Sequence, residues 1–461
     1  MKIYTQTYHF NADLYTPVGL YLGLRHHYRK PCLLEGNDYH SRADSTSYIG
    51  LNPLAEISVY TDTIVTEIAG TRTVQPIVNR KKVTTQIQQI IAEYNFENPQ
   101  NHNAFLSYFS FEYAHFEEPV KSAKEDLTGL PLAQFILFEY LIVLDHFHDT
   151  GLILRNSLTE EIVPNTDFEA LLRRQTFTLL PFETKGEETS PLTDDDFIDL
   201  VSNAKKHIYR GDVFQLVVSR PFTQPFFGDD FQVYRQLRRL NPSPYLFYAD
   251  MESYRIMGSS PETQISLNNG TASIHPIAGT VRKTGNEAED KRNTDALIND
   301  EKENAEHTML VDLARNDLSR FCTGVQIASY KEVQHFSHVI HLVSKVVGHI
   351  QKDNNALPLF SGTFPAGTLS GTPKPNALEL ISRYESTPRG YYGGAIGFLR
   401  ADGNMNLAIV IRSIFSKNNE LHYRAGAGVV LDSVPENELQ EVTNKLGAVR
   451  RAITAANNLK L

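Results

Sequence analysis

Apolar residues that recur every three or four positions mark one face of an α-helix. Val83, Ile87, Ile90, Ile91 and Tyr94 form one such stripe, and Phe197, Leu200, Val201, Ala204 and Ile208 a second. A third, Leu310, Leu313 and Ala314, lies within residues 301–317. Leu439, Val442, Leu446, Val449 and Ile453 form a fourth near the end, and another helix is expected from about Pro375. Thr193 with Asp196 reads as a capping box, as does Ser433 with Glu436, where Pro435 sits in the first turn. Strands are expected where aromatic and branched residues cluster, at 105–113 and 135–144. Gly211-Asp212 turns the second helix into a strand at 213–219, and Asn269-Gly270 predicts a hairpin. After the acidic helix come residues 335–347 and a Gly/Thr/Ser-rich loop at 361–372. Residues 394–430 read as an antiparallel meander with its middle strand at 405–415, turning at Asp402-Gly403 and Asn418-Asn419. The polar, acidic stretch 183–196 divides the chain into a mixed α/β unit, 1–185, and a second unit, 186–461.

Composition narrows the class. A chain of 461 residues, 41% hydrophobic and 21% charged, can build a large core. Its net charge of −10 argues against a nucleic-acid surface. No apolar run reaches membrane-spanning length, since 135–144 is interrupted by Glu139 and followed by Asp145. The opening MKIYTQTYHFNADLY mixes charge with polarity and does not read as a secretory leader. Cys32 and Cys322 form no CxxC, which fits a reducing, cytoplasmic setting.

The third stripe carries candidate chemistry. Glu303 and Glu306 precede Leu310 and Leu313 by seven residues, and at roughly 100° per residue they fall in line with the apolar face. A carboxylate there must be paired, hydrogen-bonded or bound to a cation. The bland alternative is the preference of acids for a helix's first turn. Glu438, Glu441 and Lys445 flank the fourth stripe, where a solvated Glu–Lys pair is the alternative. Two helices offering two carboxylates each suit Mg²⁺, which takes one or two protein carboxylates and completes its shell with water and substrate. No Cys or His cluster has zinc spacing, and His146 and His148 read as strand-end residues. Arg412, sharing a strand face with Ala408 and Val410, would receive a carboxylate or form a structural ion pair. Ala425-Gly426-Ala427-Gly428 would let backbone amides approach an anion, or would mark a bulge. Together these imply a small polyanionic carboxylate held by Arg412, backbone amides, Lys445 and Mg²⁺.

Beyond these patterns, the second half resembles the large subunits of anthranilate synthases, within the chorismate-utilising enzymes. The matching segments are NPSPYLFYAD (241–250), GSSPE (258–262), PIAGT (276–280), ENAEHTMLVDLARND (303–317), HVIHLVSKV (338–346), FPAGTLSG (364–371), RGYYGGAIGF (389–398), IRS (411–413), AGAG (425–428) and ENELQEVTNK (436–445). The first half matches through CLLEG (32–36) and SYIGLNP (47–53). The resemblance implies an α+β fold of two large antiparallel sheets packed face to face, with helices outside. It implies Glu306 and Glu441 as Mg²⁺ ligands, with Glu303 and Glu438 behind them. Around chorismate it places Gly279, Thr280, Thr368, Tyr392, Arg412, Gly426, Ala427, Gly428 and Lys445. Glu262 matches the acid that protonates the departing C4 hydroxyl, and His341 the histidine implicated in losing pyruvate.

Two positions separate members of the family. Water-using members carry a Lys base where this chain has Gln215, so ammonia is the expected nucleophile. Aminodeoxychorismate synthases, the 4-aminobenzoate alternative, have PIKGT where this chain has Ala278, and His341 favours completed elimination over release of aminodeoxyisochorismate. Neither cysteine has a glutaminase setting, so a separate glutamine amidotransferase subunit is expected to deliver ammonia within a hetero-oligomer. Members inhibited by tryptophan use LLES and PSPYM. Glu35, Pro244 and Tyr245 keep that frame, while Gly36 and Leu246 depart from it. A tryptophan site between the halves is therefore expected. A different class altogether, a non-catalytic tryptophan sensor, would have no use for Glu262, His341 and the carboxylates.

Overall fold

Branched and aromatic runs drive long strands, and these pair almost wholly antiparallel. The computed structural model describes residues 1–461 except 37–44, 119, 121–123, 125–127, 162–167, 169, 171, 173–176, 336–338, 352–354 and 460–461. Ala133–Asp145 pairs with Thr46–Val59 along its full length. From that pair the ladder runs two ways. One arm passes through Ala104–Phe109, Ala395–Arg400, Met405–Ile409, Thr263–Asn268 and Thr271–Ile274 to Val339–Ile350. The other passes through Cys32–Gly36, Tyr245–Asp250, Arg255–Ser260, Ser413–Lys417 and Glu420–Val429 to Gln215–Gly228. The fold is thus α+β, with the expected sheets joined into one large curled antiparallel ladder. Four strands from before 183–196 form its middle, and strands from after it continue both arms.

Helices cover the sheet where their apolar stripes demand it. Glu301–Ser319 packs on Ile277–Arg282, Cys322–His335 and Val339–Ile350, and Pro435–Asn457 packs on Glu420–Val429, Phe231–Leu240 and Asp194–Arg210. The two acidic helices therefore pack on different strands of the ladder. The Thr193–Asp196 capping box forms, with bonds of 2.8 and 3.1 Å, and Gly211 closes that helix at φ +81°. Asn269 and Gly270, at φ +48° and +77°, make the expected hairpin turn.

Four local expectations are corrected. The strand expected to reach Tyr113 ends at Phe109, and Phe111–Phe116 winds into a 3₁₀ turn. There Tyr113 packs edge-on against Phe109 and shares a 3.0 Å hydrogen bond with Thr84, so tertiary packing overrides strand propensity. The strand expected over 405–415 breaks in two because Arg412 adopts φ +49°. The loop at 361–372 contains the end of a helix, Ala356–Thr363, and a 3₁₀ turn, Gly367–Leu369. Ser433 does not cap the last helix. Its hydroxyl accepts the Val430 N–H at 3.1 Å, and Val434 occupies the cap without a side-chain bond.

Candidate active site

Gly279 is where the acidic helix meets the sheet. Its φ of +78° suits glycine, and a Cβ there would lie 2.7 Å from Leu297 Cδ1 and 3.4 Å from Glu303 Oε2. Glu303 and Glu306 are half-buried, ahead of the buried Leu310, Val311 and Ala314. Across the ladder, His341 pairs with Thr280, for which only backbone placement is described. His341 Nδ1 lies 3.3 Å from the Gly279 carbonyl, which accepts its proton. Burial pushes this imidazole down to about 4, the Gly279 carbonyl opposes that, and the Arg412 charge adds to it. The ring is neutral at ordinary pH, and Nε2 is left as the basic nitrogen.

Glu262 is the candidate acid. Enclosure by protein raises its carboxyl above the ordinary range, against the opposing pull of Arg412, a 3.1 Å hydrogen bond donated by Thr368 Oγ1, and Lys445. The same Arg412 charge acts on Glu262, His341 and Tyr392, which places these groups in one neighbourhood. Arg412 does not lie flat in a strand. Its carbonyl accepts the Ser259 N–H at 3.1 Å, while its left-handed backbone turns the chain between Met405–Ile409 and Ser413–Lys417. Among the described residues, no carboxylate forms an ion pair with its guanidinium. The structural-pair alternative is therefore not what forms.

The small residues 425–428 make the floor. Their strand pairs with Gln215–Gly228 without any register shift, so the bulge alternative does not hold here. Its other neighbour, Ser413–Lys417, stops at Tyr423 and leaves residues 425–428 with an edge it does not cover. A Cβ on Gly426 would sit 2.7 Å from the Val218 carbonyl and 3.2 Å from the Tyr392 hydroxyl, and one on Gly428 would sit 2.8 Å from Gln215 Nε2. Glycine thus admits both side chains. Gln215 is 6% exposed, and its Oε1 has no hydrogen-bond partner among the described residues. An orphaned buried amide oxygen costs about 1–3 kcal/mol, which is recovered when a donor binds.

Lys445 Nζ donates to the Gly426 carbonyl at 2.9 Å and pairs with Glu441 Oε1 at 2.6 Å. The i,i+4 Glu–Lys pair exists with side chains 32% (Lys445) and 45% (Glu441) exposed, and Lys445 also leans on the floor. Glu438, one turn earlier, is buried. Among the described residues no three His, Cys, Asp or Glu side chains converge on a metal-sized point. A Mg²⁺ that takes one or two carboxylates and finishes its shell with water and substrate oxygens would not require such a cluster. His146 and His148 serve structure, bonding Ser47 and Asp145 at 2.7 and 2.8 Å.

A separate cavity of about 360 Å³ collects Glu35, Gly36, Pro244, Tyr245 and Leu246. Strand pairing makes this happen, with Leu246 opposite Glu35 and Tyr245 opposite Gly36. Glu35 is already engaged there, accepting Tyr234 Oη at 2.6 Å and Arg238 Nε at 2.8 and 2.9 Å. Sequence reading missed this pair of partners. Their i,i+4 spacing on Phe231–Leu240 was the available signal.

A family model for chorismate binding enzymes matches residues 30–451. Anthranilate synthase component 1 of Acetivibrio thermocellus is 35% identical, over 97% of this chain and 95% of its own. The crystal structure of anthranilate synthase component I from Streptococcus pneumoniae TIGR4 superposes with a TM-score of 0.75 at 32% identity, covering 88% of this chain and 92% of that one. The menaquinone-specific isochorismate synthase from Escherichia coli shares the fold, with a TM-score of 0.76 at 16% identity over 98% of this chain and 94% of that one.

Proposed function

The chain belongs to the chorismate-binding enzymes, and we propose that it is the large component of an anthranilate synthase, forming anthranilate and pyruvate from chorismate and ammonia. The observation that carries this reading is Gln215. Its buried amide oxygen, unpartnered among the described residues, accepts N–H donors but has no basicity to deprotonate water.

Chorismate's carboxylates are received by Arg412, the 425–428 backbone and Lys445, with Tyr392 and Gly279 shaping the wall. Ammonia adds to the ring carbon ortho to the ring carboxylate. Glu262, kept protonated by its enclosure, gives its proton to the C4 oxygen, which leaves as water. His341, neutral at working pH, then takes the ring proton while the enolpyruvyl group departs and becomes pyruvate. Glu306 and Glu441, backed by Glu303 and Glu438, would hold Mg²⁺, which neutralises charge on the ring carboxylate when bound. A glutaminase partner supplies ammonia in the assembled enzyme, consistent with the component 1 naming of the relatives. The 360 Å³ cavity suits an amino-acid inhibitor, tryptophan, with Gly36 and Leu246 loosening the fit.

Gln215→Lys tests the reading. A lysine removes the acceptor and offers a base, so ammonia-dependent turnover should fall at least about tenfold. Unchanged ammonia turnover in the folded variant would contradict it.

A further inference from the structure

One buried cation stands outside the set described so far. Arg389 is 3% exposed, and its guanidinium reaches two backbone segments at once. Nη1 donates to the Leu369 carbonyl, and Nη2 to the Val217 carbonyl at 2.8 Å. Glu385, equally buried, accepts Nε at 3.0 Å and also takes Nη2. That carboxylate further accepts the N–H and O–H of Ser219 at 2.9 and 2.8 Å, and Arg424 Nη1 at 3.3 Å. From the other side, Glu112 accepts the backbone N–H groups of Arg389 and Gly390 at 2.7 and 2.9 Å. The guanidinium carbon lies 4.5 Å from the Phe111 ring centre and 5.9 Å from that of Tyr392.

Each anchor neighbours a candidate site residue. Leu369 follows Thr368, which holds Glu262. Val217 is two residues past Gln215 and faces Gly428 across the ladder. Arg424 is two residues before Gly426. We propose that Arg389 is a positioning residue, a clamp that fixes the acid side, Thr368 with Glu262, against the nucleophile side, Gln215. This rests on the site reading given above.

Two physical arguments favour a role beyond stability. A buried ion pair gains little over well-packed apolar residues of similar volume, because desolvating both charges offsets their attraction. A planar guanidinium, by contrast, delivers hydrogen bonds in several fixed directions at once, which lysine cannot do. Misplacing reacting groups by about 1 Å can cost roughly a hundredfold in rate, so a clamp at this distance from the chemistry matters.

The test uses the full chain with chorismate, Mg²⁺ and free ammonium, comparing Arg389→Lys, Glu385→Gln and Glu262→Gln, with circular dichroism to count folded protein. Arg389→Lys should lower kcat at least tenfold while the chorismate KM changes less than threefold. The alkaline limb of kcat/KM set by Glu262 should also move to higher pH, because the Thr368 bond that favours the carboxylate is loosened. Glu385→Gln should act in the same direction, less strongly, and it decides the matter if Arg389→Lys does not fold. Unchanged kcat in the folded variants, or a loss that only follows the folded fraction and leaves the limb in place, overturns the clamp. Full activity in Glu262→Gln would instead overturn the site reading itself.

Discussion

The amide of Gln215 occupies the space that a side chain on Gly428 would need: Nε2 lies 2.8 Å from the position of a Cβ there. Gln215 and the glycine-rich strand 425–428 are therefore fitted to each other. Gly428→Ala should push Gln215 aside and cut kcat about tenfold or more, with less effect on stability because the neighbour is a side chain and not backbone. Initial rates with saturating ammonium, beside a thermal melt, check this. An alanine variant with unaltered rates would show the fit to be irrelevant.

Removing the acid should sharply reduce turnover. Glu262→Gln cannot donate a proton, and a loss of about 10² to 10⁴-fold in kcat is expected. In the unmodified chain, the raised carboxyl places the alkaline limb of kcat/KM above the ordinary carboxylate range, since activity needs the protonated form. A limb at the normal glutamate value would contradict the enclosure described.

His341 makes an opposite prediction. Its imidazole is pushed down to about 4, below the ordinary 6.5, so no histidine limb should appear near neutrality. The sign for stability follows. Between 6.5 and about 4 the unfolded chain holds the proton and the fold does not, so this residue lowers stability as pH falls through that window. His341→Phe, keeping the bulk, should flatten that part of a melting-temperature profile while losing turnover. A profile identical to the parent would show His341 to be charged or exposed.

Metal dependence should reside on two distant helices. Glu306→Gln and Glu441→Gln should each raise the Mg²⁺ concentration needed for half-maximal rate by about tenfold or more. Titration calorimetry of Mg²⁺ with a chorismate analogue present gives a second readout. The idea fails if both variants keep the parent's Mg²⁺ dependence.

Much of this was legible because it depends on local period. The acidic helix, the Thr193 cap, the Asn269-Gly270 turn and the two C-terminal hairpins follow from spacing and turn chemistry. The meander expected to join those hairpins does not form, because 405–409 and 413–417 enter different arms of the ladder. Arg412 is legible in the sequence as a candidate carboxylate receptor, but its left-handed backbone is not, because an arginine gives no local reason for φ +49°. Strand propensity likewise misread 110–113, where Tyr113 is drawn into a 3₁₀ turn by partners distant in sequence. The capping role assigned to Ser433 failed because its hydroxyl served the preceding turn. Arg389 and Glu385 stand four residues apart with no local sign of burial, and only the folded chain reveals that both are buried behind the floor.

Product identity tests the central claim most directly. The purified chain with chorismate, Mg²⁺ and saturating ammonium, assayed across pH, should yield anthranilate and pyruvate in equal amounts. Formation of 4-aminobenzoate or isochorismate as the main product, or no turnover at all, would contradict it.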